Sequence, residues 1–80
     1  MTLKQTRNYL ISKGWQFDAN SSNLLHWGHT FCLNLPEDAS GLHEGEPESL
    51  RCNLAVKYAS MAEERPSDQI AADIESFPDL

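Results

Sequence analysis

Residues 14–36, GWQFDANSSNLLHWGHTFCLNLP, decide the fold of this chain. The segment holds both tryptophans, and its apolar residues recur at every second position, the period of a strand with one covered face. Trp15, Phe17 and Ala19 alternate with Gln16 and Asp18, which reads as a first strand. Asn20, Ser21, Ser22 and Asn23 tolerate left-handed geometry or bond their own main chain, and they read as a turn. A second strand over residues 24–29 sets Leu25, Trp27 and His29 on one face and Leu24, His26 and Gly28 on the other. In a third, over 31–35, Phe31, Leu33 and Leu35 face away from Cys32 and Asn34. A tight turn at residues 28–30 separates the last two strands, the alternative being one long bulged strand. Pro36 ends the sheet because it has no N–H to give a ladder.

Helices flank this sheet. Residues 2–13 carry Thr2 as N-cap with Gln5 three places on, a capping-box arrangement, and Leu3, Thr6, Arg7 and Leu10 on one stripe flanked by Tyr9 and Ile11. Gly14 stops that helix, and Lys13 suits the negative end of its dipole. Residues 37–47 are rich in carboxylates and poor in apolar side chains, which makes them a loop longer than the usual connection. A second helix starts at Pro47 or Glu48, where Leu50, Leu54, Tyr58 and Met61 recur at helical spacing with Ala55 and Ala62 beside them. That stripe is expected to pack on the sheet. Glu63, Glu64, Arg65 and Pro66 break the pattern, and Ser67 is expected to cap a third helix over 68–76 with Ile70, Ile74 and Phe77 as its apolar edge. The expectation is a single small α+β domain of order α-β-β-β-α-α, a three-stranded antiparallel sheet packed by helices. Its parts are a sheet core over 14–36, an acidic loop over 37–47 and a helical part over 48–77.

A chain of 80 residues makes one domain that buries ~60–65% of the surface its unfolded form exposes. Apolar residues at 40% suffice for a core, so a disordered chain is excluded. No stretch approaches the ~18 apolar residues of a membrane span, and the N-terminus has no continuous apolar block, so a cytoplasmic location is expected. Cys32 and Cys52 form no C-x-x-C pair and are expected as free, buried thiols. The net charge of −6 is unevenly divided: Lys4, Arg7 and Lys13 stand against Asp18 alone in the first 31 residues, and the acidity follows. Phosphate backbones need clustered Lys and Arg, so nucleic acid is disfavoured as a partner.

His26, His29 and Cys32, with His43 and Cys52 elsewhere, are the only candidates for mixed zinc ligation. In a continuous strand residues 26 and 32 share a face while 29 lies on the other, so no metal and no cofactor is expected. Cys32 stands between Phe31 and Leu33, where a thiol is ordinarily inert packing. The carboxylates of Glu37, Asp38, Glu44, Glu46 and Glu48 lie in a solvated segment that gives no burial to shift a pKa. Trp15 and Trp27, each able to bury ~150–250 Å², are expected in the core.

The order helix, three strands, helix, with Gly14–Trp15 at the end of the first helix, His26, Trp27 and His29 in a hairpin, and LNLP ending a strand at Pro36, resembles the HicA family of mRNA interferase toxins. The resemblance covers residues 3–62 and implies a double-stranded-RNA-binding-like fold. Where those toxins carry a Gly-Ser-His motif this chain has Ser22, Asn23 and Leu24, so the catalytic histidine is replaced by Leu24. The resemblance therefore implies a fold without the nuclease, the alternative being a ribonuclease relative using His26 or His29 as general acid or base. Residues 31–77, with MAEERPSDQI between two helices, are also similar to ribbon-helix-helix repressors, although the strand lacks basic side chains for a major groove. The function expected is a non-enzymatic, acidic binding or regulatory protein of a bacterial or phage toxin–antitoxin, defence or anti-defence system. Its partner is expected to be another protein, met by Glu37, Asp38, Glu44, Glu46 and Glu48 with the exposed side of the last two helices, and by Leu24 on the open face of the sheet.

Overall fold

The computed structural model describes residues 1–18, 21–28, 30–36, 39–42 and 44–78, with the backbone alone for Ser21, Ser22, Asn23 and Ala39. Its elements are α1 (Leu3–Ser12), β1 (Gln16–Asp18), β2 (Ser21–Trp27), β3 (Phe31–Asn34), a 3-10 turn (Ala39–Gly41), α2 (Glu48–Glu63) and α3 (Ser67–Glu75). The strands form one antiparallel sheet in the order β1-β2-β3, so the chain is an α+β domain with the expected succession of elements.

α1 begins as its sequence requires. Thr2 accepts from the Gln5 N–H at 3.0 Å while the Thr2 N–H donates to the Gln5 side chain at 3.1 Å, completing the capping box. Leu3, Thr6, Arg7, Tyr9 and Leu10 are buried along one side. Gly14 ends the helix at φ 101°, a conformation open to glycine, and the Trp15 N–H reaches back to the Leu10 carbonyl at 3.1 Å. Glu48 supplies a further cap: its Oε1 accepts from the Leu3 N–H at 2.7 Å, which ties the start of α2 to the start of α1.

The sheet departs from expectation in one detail. Ser21, Ser22 and Asn23 belong to β2 and not to a turn, Asp18 pairs with Ser21, and the register shifts between Phe17 and Asp18. Ala19, expected in the first strand, and Asn20, expected in the turn, lie outside the described residues. Between β2 and β3 the expected tight turn forms, with Trp27 opposite Phe31 and the Thr30 N–H bonded to the Trp27 carbonyl at 3.1 Å.

Helices cover one face of the sheet. Leu25, Leu33 and Leu35 point inward to meet Leu3, Leu10, Trp15, Cys52, Ala55, Val56, Ala59, Ile70 and Ile74. Trp15 is fully buried, as expected, but its indole N–H finds no partner among the described residues. Trp27 corrects its expectation: it is half-buried, its ring centroid 6.1 Å from that of Trp15, and Phe31 and Tyr58 continue the row of rings outward. Phe17 corrects its own more strongly. It lies opposite Leu25 on the inner face yet stays 44% exposed, because β1 is the edge strand and what stands over the ring is the Arg7 guanidinium, 4.8 Å from its centroid.

α3 is held to α1 at its C-terminal end. Gln5 donates its side-chain amide to the Phe77 and Glu75 carbonyls at 3.0 and 3.2 Å, and Tyr9 meets Phe77 edge-on at 5.9 Å. Ser67 is the first helical residue and makes no capping bond; Pro66 takes the N-cap position. α2 ends on Glu64 in left-handed geometry, at φ 55° and ψ 44°.

Candidate functional site

The face that α2 presents to solvent is where the structure differs most from the sequence reading. The buried residues of the helix are Cys52, Ala55, Val56 and Ala59, small side chains that let α1 and α3 approach closely. Leu50, Leu54 and Met61, expected against the sheet, lie on the opposite side and are 59, 40 and 45% exposed. Only Tyr58 of the expected stripe reaches inward, where its ring packs on Phe31. With 100° per residue, Leu50, Leu54, Lys57 and Met61 form one outward row. The helix is thus apolar on both sides, a pattern that belongs to helices covered on both sides.

A shallow groove of about 570 Å³ runs beside this row, between α2 and α3. Asn53, Val56, Lys57, Ser60 and Met61 form one wall, and Ser67, Asp68 and Ala71 form the other.

The acidic loop proves partly structural. Glu46 forms a two-pronged ion pair with Arg51, whose Nη1 also donates to the carbonyl and side-chain oxygen of Asn34 at 2.7 Å each. Arg51 so pins the loop to the end of β3. Glu48 is taken up by the Leu3 N–H. Glu44 is exposed, while Glu37, Asp38 and His43 lie outside the described residues. Sequence alone could not single out Glu48, whose partner is a main-chain N–H remote in sequence, whereas Arg51 stands near enough to Glu46 for the pair to have been considered.

The outer face of the sheet holds the other candidates. Gln16, His26 and Cys32 stand in one cross-strand row, with Leu24 opposite Asn34 beside it. Leu24 and His26 are half-buried. A carbonyl only accepts, so the 3.1 Å contact of His26 Nδ1 with the Gly28 oxygen sets a proton on Nδ1. Cys32 corrects its expectation: it is exposed, because no helix covers this face. Cys52 is buried as expected, its thiol pushed up by that burial and partly relieved by the Thr6 hydroxyl at 3.4 Å. His29 lies outside the described residues, and among the described residues no group of three His, Cys, Asp or Glu side chains could hold a metal ion.

The densest titratable cluster is a clasp between the helices. The Tyr9 hydroxyl donates to Glu63 at 3.0 Å, Arg65 donates to Glu63 at 3.2 Å and to Asp73 at 2.7 Å, and the Ser60 hydroxyl donates to the Arg65 carbonyl. Burial, then the bond to Glu63, pushes the Tyr9 phenol up to about 12. Below pH ~10 the tyrosine is neutral in folded and unfolded chains alike, and the contribution of the clasp is fully present. Between pH 10 and 12 the unfolded chain ionises first, so that contribution is lost. Urea unfolding at pH 8 and pH 11.5 should show the wild type losing more than Tyr9→Phe over this interval, on the order of 1 kcal/mol once solvent screening is allowed for. Equal losses would remove Tyr9 from the clasp.

No family model matches the chain, and neither does any curated protein or solved structure. Among the described residues no helix is long and apolar enough to cross a membrane.

Proposed function

We propose that this is a non-enzymatic acidic binding protein that acts through protein–protein contacts, with the outward face of α2 as its docking surface. The observation that carries the reading is the row of Leu50, Leu54 and Met61, three large apolar side chains exposed along one helix. Scattered apolar residues are common on surfaces, but a contiguous row rimmed by polar groups marks interaction sites. Asp68 at the groove edge adds negative charge beside it. The HicA-like resemblance, with Leu24 at the catalytic position, supports a nuclease-free part in a bacterial or phage toxin–antitoxin, defence or anti-defence system.

A ribonuclease would need an acid–base pair, and among the described residues of the hairpin His26 offers a single imidazole, bonded to a main-chain carbonyl. Two measurements decide between these readings. Affinity capture from the native host with wild-type bait should yield a protein that is lost with Leu50→Ser/Leu54→Ser bait. Incubation with labelled RNA should leave the RNA intact, and cleavage that disappears with His26→Ala or His29→Ala would overturn the proposal.

A further inference from the structure

We infer that the partner of the α2 face is a second copy of this chain, packed antiparallel about a two-fold axis near Ala55 and Val56. The inference rests on the outward face of α2 being a docking surface, and it names the occupant.

Charge selects the occupant. The whole chain carries −6, so two copies repel one another over most of their surface. The outward row of α2 is the exception: Leu50, Asn53, Leu54, Lys57 and Met61 include no carboxylate and one cation. A strongly basic partner would find no anion in the centre of this face. A second acidic copy finds none to repel it.

Spacing selects the geometry. Leu50, Leu54, Lys57 and Met61 follow one another at four, three and four residues, the seam of a two-helix coiled contact. In a parallel pair each residue of the seam meets its own counterpart, which sets Lys57 against Lys57. In an antiparallel pair Leu50 lies across from Met61 and Leu54 across from Lys57, so the like charges separate. The flanking positions then bring Arg51 towards Tyr58 and Asn53 towards Ser60, again without like charges. Leu50 of the second copy also falls beside the groove at Met61, where Val56 and Ala71 offer it apolar walls.

Area sets the strength. The exposed parts of Leu50, Leu54 and Met61 amount to a patch on the order of 300 Å². With the flanking residues and the α3 edge, each copy buries roughly 600 Å², the lower end of stable interfaces, which makes the dimer a concentration-dependent one.

Sedimentation equilibrium of the full chain from roughly 5 to 500 µM tests this. The wild type should show a reversible monomer–dimer equilibrium. Leu54→Asp, checked for folding by circular dichroism, should stay monomeric throughout, a weakening of at least ~100-fold. Lys57→Leu, which removes the one cation from the seam, should tighten the dimer ~10-fold or more. A wild type that is monomeric at the top concentration, or a dimer indifferent to both substitutions, would overturn the inference. If the wild type is monomeric and a foreign protein is captured in a Leu54-dependent way, the second copy is wrong and the docking face stands. If both fail, the face itself is not a docking surface.

Discussion

Arg7→Met should lower the stability of the domain by about 2–3 kcal/mol. Arg7 is 5% exposed, and its Nη1 donates to the Leu35 carbonyl, just past the end of β3. Methionine keeps most of the packed stem but leaves that carbonyl, on a fully buried residue, without this donor. A buried acceptor left unsatisfied costs about 1–3 kcal/mol, and the guanidinium over Phe17 contributes about 0.5–1 kcal/mol more. The desolvation relieved by removing a charge offsets part of the loss. For a domain of this size each kcal/mol is worth about 4–8 °C, so the thermal midpoint should fall by about 10–20 °C. A midpoint within a few degrees of wild type would mean that Arg7 is a passenger on the helix.

Gly14→Ala should cost about 2–3 kcal/mol, by two separable terms. The residue sits at φ 101°, where a side chain strains the backbone by about 1–3 kcal/mol. A Cβ there would also stand 3.2 Å from Trp27 Cζ3, tighter than ordinary contact. Gly45→Ala is the control: its φ of 83° carries comparable strain, but a Cβ meets nothing within 4 Å. The difference between the two variants in urea unfolding isolates the Trp27 contact. Gly14→Ala should also change the near-ultraviolet dichroism, since Trp27 must shift against Trp15.

These two sites show what could be read without coordinates. Gly14 was legible because one residue type announces both a helix stop and a positive φ. The capping box at Thr2 and Gln5 and the alternation through Leu25, Leu33 and Leu35 were legible for the same reason, since local chemistry and tertiary position agree. The role of Arg7 was only half legible: its stripe placed it inward, but the Leu35 carbonyl is remote in sequence. Ser21, Ser22 and Asn23 were misread because their composition favours turns while the pairing of Ser21 with Asp18 extends β2 back through them. Cys32 was misread against its own alternation, which already set it opposite Leu33 on the face no helix covers.

α2 failed for a deeper reason. Its large apolar residues mark one side and its small ones the other, and a size-weighted reading takes the large ones for the core. The three helices instead pack closely, which selects Cys52, Ala55 and Ala59 for the inside and leaves Leu50, Leu54 and Met61 outside. The same misreading hid the candidate site. A sequence reading that finds a helix apolar on both sides should expect two contacts rather than one.

The most direct test of this account compares Leu54→Gln with Ala55→Gln by equilibrium urea unfolding at about 1 µM, below the range where self-association contributes. The two residues are adjacent on α2 and differ in side: Leu54 is 40% exposed and Ala55 is fully buried. Leu54→Gln should stay within about 0.5–1 kcal/mol of wild type, whereas Ala55→Gln, forcing a larger polar group into close packing, should lose at least about 2–3 kcal/mol. The reverse order, with Leu54→Gln the more damaging, would return the large apolar row to the core and contradict the docking face.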